Sequence, residues 1–86
     1  MRWIQIKFND EQYLANIVSG LVTATFAIER TLDERGVLLS LTVAKADMGI
    51  IIGKDGETAR SLRRLLRQFG MLNNSRISLR VNEPTQ

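Results

Sequence analysis

Gly53-Lys54-Asp55-Gly56 is the stretch of this sequence whose residue types and spacing could hold an anion. A G-x-x-G turn brings backbone N–H groups close to a visitor, because neither flanking glycine has a side chain to block the approach. A helix opening just after the turn aims its N-terminus, with about half a positive charge, at the same point. Lys54 adds a mobile ammonium group, and Arg60, Arg63, Arg64 and Arg67 extend the positive field along the helix. The chemistry is phosphate capture, with Arg60 and Arg64, one turn apart, as preferred contacts. Asp55 opposes it, since a carboxylate beside a phosphate costs affinity.

The charge distribution points the same way. Residues 1–43 carry four basic and five acidic side chains, a net of −1, whereas residues 44–86 carry eight and four, a net of +4. A concentrated positive region suits a polyphosphate, whose affinity comes largely from counterion release. The chain has no cysteine and no histidine, which removes disulfides, thiolate nucleophiles and the commonest metal ligand and general base. Asp47, Asp55 and Glu57 offer no convincing metal cage, so no cofactor, metal or catalytic residue is expected, and the protein is not read as an enzyme. No segment approaches the ~20 apolar residues that span a bilayer, and residues 1–8 are too weakly apolar for a signal peptide. A cytoplasmic protein without a membrane partner is the expectation.

The elements that must carry the loop can be traced by periodicity. Residues 2–8 alternate Ile4, Ile6 and Phe8 with polar neighbours, the pattern of a short extra strand. Asn9 or Asp10 can cap a helix whose apolar stripe, Tyr13, Leu14, Ile17, Val18, Leu21 and Val22, runs on until β-branched Thr23 and Thr25. Residues 25–32 and 37–44 read as strands joined by a turn at 33–36, with Gly36 able to take positive φ. Asp47 is placed to cap a short helix over 48–52. From Glu57 a longer helix buries Ala59, Leu62, Leu66 and Phe69, with Leu65 beside them, and shows its arginines on the other side. Gly70 is expected to end it in a left-handed conformation. Asn73-Asn74-Ser75 reads as a turn, and residues 76–81 alternate as the clearest strand.

By spacing alone the loop is a weak signal, because a chance G-x-x-G arises about 0.4 times in a chain this long. Its surroundings strengthen it. The segment 47–69, DMGIIIGKDGETARSLRRLLRQF, resembles the signature of KH domains: an apolar run, G-x-x-G, then an amphipathic helix. The whole chain is similar to the type II KH order, and to the small bacterial KH proteins of the KhpA family. The resemblance implies an α+β, αββααβ fold, with helices packed on one face of a three-stranded mixed sheet. The KH domain would span residues 10–82, after an N-terminal extension at 1–9 and before a tail at 83–86.

It also implies a groove for about four nucleotides of single-stranded RNA, with the G-x-x-G clamping the backbone and apolar residues meeting the bases. The clamp would be Gly53, Lys54, Asp55 and Gly56, with Ile51, Ile52, Ala59 or Arg60 and the Leu41–Val43 stretch as candidate walls. Arg63 and Arg67 complete the candidate contacts. At least two of Ile50, Ile51 and Ile52 are expected to pack under the sheet instead. Trp3 and Tyr13 lie far from the loop in sequence and suit core or dimer packing better than base stacking. The competing reading is a KH scaffold that forms a homodimer, or a heterodimer with another KH protein, with RNA binding secondary.

Overall fold

The computed structural model describes residues 9–83. Their order is α1 (Asp10–Ser19), β1 (Phe26–Asp33), β2 (Gly36–Val43), α2 (Met48–Ile52), α3 (Glu57–Leu72) and β3 (Ile77–Asn82). Short 3-10 turns at Lys45–Asp47 and Lys54–Gly56 precede α2 and α3. This is the αββααβ arrangement that the sequence implied. The strand expected within residues 1–9, Trp3 with it, and the tail after Glu83 fall outside the described residues. No helix among the described residues is long and apolar enough to cross a membrane.

The sheet has the order β1-β2-β3. β1 and β2 form an antiparallel hairpin with Asp33 opposite Gly36, while β2 and β3 run parallel. A parallel pair needs a long crossover, and residues 44–76 supply it, laying α2 and α3 over one face. That face carries Val37, Leu39, Leu41 and Val43 of β2, all buried, with Ile77 and Leu79 of β3 beside them. Leu14 and Val18 of α1, Ile51 of α2 and Leu62 and Leu66 of α3 close the core from above. Tyr13 stacks on Phe69 with ring centroids 4.7 Å apart, joining α1 to α3.

α1 begins with a reciprocal cap. The Asn9 side chain accepts from the Gln12 N–H at 2.8 Å, and the Gln12 side chain accepts from the Asn9 N–H at 3.1 Å, satisfying two donors that the helix itself cannot. Arg30, on the helix-covered side of β1, donates to the buried Asp10 carboxylate at 2.9 Å. The helix stops at Ser19, three residues before the apolar stripe ends at Val22. Gly20 is a poor helix former, and the next residues are held elsewhere.

The holder is Asp47. It occupies the N-cap position of α2 but makes no cap bond, which corrects the role expected from sequence. Its side chain is buried and turned toward the α1–β1 loop. Oδ1 accepts from the Thr23 hydroxyl at 2.7 Å and the Thr23 N–H at 3.2 Å, and Oδ2 accepts from the Ala24 N–H at 3.1 Å. The Thr23 hydroxyl, followed by the two backbone donors, pulls the carboxyl below its ordinary value against the opposing effect of burial.

Folding therefore lowers this pKa, so the stabilisation is complete above the ordinary value of 3.8 and is lost as pH falls through the lower folded value. Asp47→Ala should lower the thermal midpoint at neutral pH by on the order of 10 °C, since it strips three part-buried bonds from a small domain. It should also flatten the fall in midpoint on acidification below 3.8. A melting series across pH checks both, and an acid slope identical to wild type would contradict the assignment.

The end of α3 corrects a second expectation. Gly70 does not end the helix, which continues to Leu72. It is buried, and a Cβ there would lie 2.4 Å from the Ser75 carbonyl oxygen. Glycine is needed for that close approach, in which the Ser75 N–H bonds the Gly70 carbonyl at 2.8 Å. The left-handed residue of the turn is Asn74, at φ 54°.

Candidate nucleic-acid interface

Backbone conformation explains why α2 stops and α3 starts at the glycine turn. Gly53 has φ 75° and ψ 173°, a region open essentially to glycine alone. A Cβ there would also lie 2.3 Å from Thr58 Oγ1. Gly56 is left-handed at φ 75° and ψ 14°, yet the nearest atom to its missing Cβ is Arg60 Nη1 at 3.7 Å. Asp55 between them is left-handed too, at φ 56° and ψ 27°. Aspartate tolerates that conformation better than most residues, so Asp55 suits the turn geometrically even though its charge opposes an anion.

Gly56 is the N-cap of α3 and supplies no side chain, so no side chain caps the helix. The Gly56 N–H is already spent on the Gly53 carbonyl at 3.1 Å and the Glu57 N–H on the Lys54 carbonyl, so the helix start offers an outside acceptor chiefly its dipole. Lys54 and Asp55 are exposed, and Arg60 Nη2 donates to Glu57 Oε2 at 3.1 Å in a solvated pair. Lys54 and Arg60 are thus matched in number by Asp55 and Glu57, and the formal charge around the loop cancels.

Further along α3 it does not cancel. At about 100° per residue, Arg60, Arg63, Arg64 and Arg67 fall within an arc of about 100°, on the side away from Leu62 and Leu66. All four line a groove of about 410 Å³ whose opposite wall is Ile77, Ser78 and Leu79 of β3. Among the described residues Arg63, Arg64 and Arg67 have no ion-pair partner. β3 is an edge strand among the described residues, so within them the backbone N–H and C=O groups on its outer side have no strand partner.

The structure brings the arginines together as the sequence suggested but replaces the other wall. Ile51 is fully buried in the core, so it cannot meet a ligand. Leu41 and Val43 are buried as well, because β2 is the central strand and the helices cover that face. The wall belongs to β3, and no linear pattern identified it, since strand order is not written in local periodicity. Ile50 and Ile52 are about two-fifths exposed, at 42% and 41%. A five-residue helix directs only Ile51 inward, so the expectation that at least two isoleucines pack under the sheet fails. Ile52 adjoins the turn but does not line the groove. Leu65 is 42% exposed rather than part of the buried face.

A family model described as the KhpA/KhpB KH domain matches residues 11–82. The chain belongs to this KH-domain family. Among curated proteins it is 36% identical over 75 residues to the RNA-binding protein KhpA of Chlamydia pneumoniae, covering 85% of this chain and 96% of that protein. It is 35% identical over 75 residues to the RNA-binding protein KhpA of Listeria monocytogenes, covering 85% and 99%. The protein of the same name from Clostridium acetobutylicum is 29% identical over 73 residues, covering 83% and 97%. In this KH domain the G-x-x-G sequence is Gly53–Gly56, and the arginine-lined groove runs between α3 and β3.

Proposed function

We propose that this KH domain binds single-stranded RNA without catalysing a reaction, and that it acts in RNA metabolism. One observation carries the reading: a groove with four arginines on its helical wall and, on the other, a strand that is an edge among the described residues. The names of the curated relatives, each an RNA-binding protein, agree with it.

In this reading the turn of Gly53, Lys54, Asp55 and Gly56 takes one phosphate against the dipole of α3, the Gly53, Gly56 and Glu57 N–H groups being already bonded within the chain. Lys54 adds a long-range attraction that partly offsets Asp55. Arg63, Arg64 and Arg67 neutralise successive phosphates, while Arg60 divides its charge between Glu57 and the ligand. Ser78 and the small part of Ile77 and Leu79 that reaches the groove meet the bases, and the outer edge of β3, unpaired among the described residues, offers them hydrogen bonds with little sequence preference.

Titrating labelled single-stranded and double-stranded RNA of equal length at two salt concentrations tests this, with Lys54→Asp as the variant. Wild type should prefer the single strand and weaken as salt rises, and the variant should bind roughly tenfold more weakly. Absent, salt-independent or equal binding throughout would sink the reading.

A second reading, association with another copy or another KH domain, is favoured by a separate observation. Leu32, Met71 and Leu72 are 67%, 69% and 78% exposed. Leu32 pairs with Val37 and Val37 with Ile77, and Ile77 also lies near Gly70 of the last α3 turns, so these side chains gather at one end of the molecule. Light scattering on the same samples would show a concentration-dependent mass.

A further inference from the structure

We propose that the RNA track does not end with the α3–β3 groove. It continues past the start of β3 to the β1–β2 turn, where Arg76 and Arg35 hold additional phosphates. The proposal rests on the RNA-binding reading above and extends the length of strand that the site accepts.

The surface is continuous. A second hollow of about 370 Å³ shares Arg67, Ile77 and Ser78 with the groove and adds Arg76. A third, of about 260 Å³, shares Arg76 and Ser78 with the second and adds Arg35. The path thus leaves the helical side of the sheet and passes round the N-terminal end of its edge strand.

Charge favours this extension. Arg60, Arg63, Arg64, Arg67, Arg76 and Arg35 line the three hollows, and Asp33 is the one carboxylate among the lining residues. Asp33 Oδ1 already accepts the Arg35 N–H at 2.8 Å. The glycine turn, by contrast, is balanced between Lys54, Arg60, Asp55 and Glu57. The positive field is therefore displaced away from the clamp, and a polyanion gains most from the part of its backbone that lies beyond it.

The two distal arginines are also pre-positioned. The Val37 N–H donates to the Arg76 carbonyl at 2.7 Å. Gly36, at φ 127°, lies so close to Arg76 that a Cβ would stand 2.3 Å from that oxygen. The hairpin turn is thereby fastened to the segment entering β3. Arg35 and Arg76 are carried on two backbone segments of fixed spacing, which lowers the ordering cost of a joint contact.

Fluorescence anisotropy with oligouridylates of four, six, eight and ten nucleotides would test the extension, using wild type and Arg35→Ala/Arg76→Ala. An octamer has about five placements on a four-nucleotide KH site, so register counting alone gives about fivefold over a tetramer. Wild type should gain about 50-fold and the variant about fivefold, with tetramer affinities within a factor of two. Arg35→Lys/Arg76→Lys should keep most of the gain, and melting curves confirm that each variant is folded. A full length gain in the alanine variant overturns the extension while leaving the KH-groove reading intact. Absence of binding to wild type at every length overturns that reading and the extension together.

Discussion

Reversing the charge of Arg64 and Arg67 together, as Arg64→Glu/Arg67→Glu, is expected to weaken single-stranded RNA binding by roughly 100-fold or more at moderate salt. The thermal midpoint should stay within a few degrees of wild type. Both side chains are exposed and, among the described residues, make no ion pair, so the fold loses little when they change. The interface loses a great deal, because two phosphate neutralisations disappear and two carboxylates stand in their place. The logarithmic dependence of affinity on salt should become shallower by about 1.4, the sum for two phosphates on a single strand. Arg60→Glu should cost less than either single reversal, since Arg60 already shares its charge with Glu57 at 3.1 Å. Titrations at several salt concentrations measure both quantities. Wild-type affinity and slope in the double variant would remove these arginines from the interface.

The second large effect separates the two glycines of the turn. Gly53→Ala should destabilise the domain by about 3 kcal/mol or more, because it combines a backbone region costing about 1–3 kcal/mol for other residues with a collision in a packed corner. The collision is specific: the new Cβ meets Thr58 Oγ1 at 2.3 Å and the Thr58 backbone nitrogen at 2.8 Å. Thr58→Ala in the same chain removes the hydroxyl but not the backbone nitrogen, so rescue should be partial. Gly56→Ala should cost only about 1–2 kcal/mol, the ordinary penalty of a left-handed L-residue, since the space around it is open. Chemical denaturation resolves the difference. Equal losses at the two positions would mean that the Gly53 contact with Thr58 does not constrain the turn.

Much of this molecule was legible in its local patterns. The alternation of Val37, Leu39, Leu41 and Val43 and of Ile77 and Leu79 marked two strands, because a pleated backbone sends successive side chains to opposite faces. The recurrence of Leu62, Leu66 and Phe69 marked α3 and, by difference, its arginine face. These signals are periodic and short-range, and they survived folding. Errors gathered where a distant residue outweighed the local preference. α1 ends early at Gly20, where the chain turns toward the Thr23 and Ala24 bonds to Asp47, more than twenty residues away in sequence. Gly70, whose type suggests a helix end, stays helical because the returning chain needs its bare Cα.

By itself, then, the sequence determined that a glycine turn would open an arginine-faced helix, since turn residues and helical periodicity act within a few positions of one another. Only the tertiary structure decided what that helix faces. The parallel pairing of β3 with β2 puts β3 at the sheet edge and opposite Arg60 to Arg67. With β2 central and covered by the helices, Ile51, Leu41 and Val43, the groove walls expected from sequence, are buried in the core. Strand pairing of this kind depends on backbone hydrogen bonds and core packing between residues about forty positions apart, as with Val37 and Ile77, and no local spacing records it.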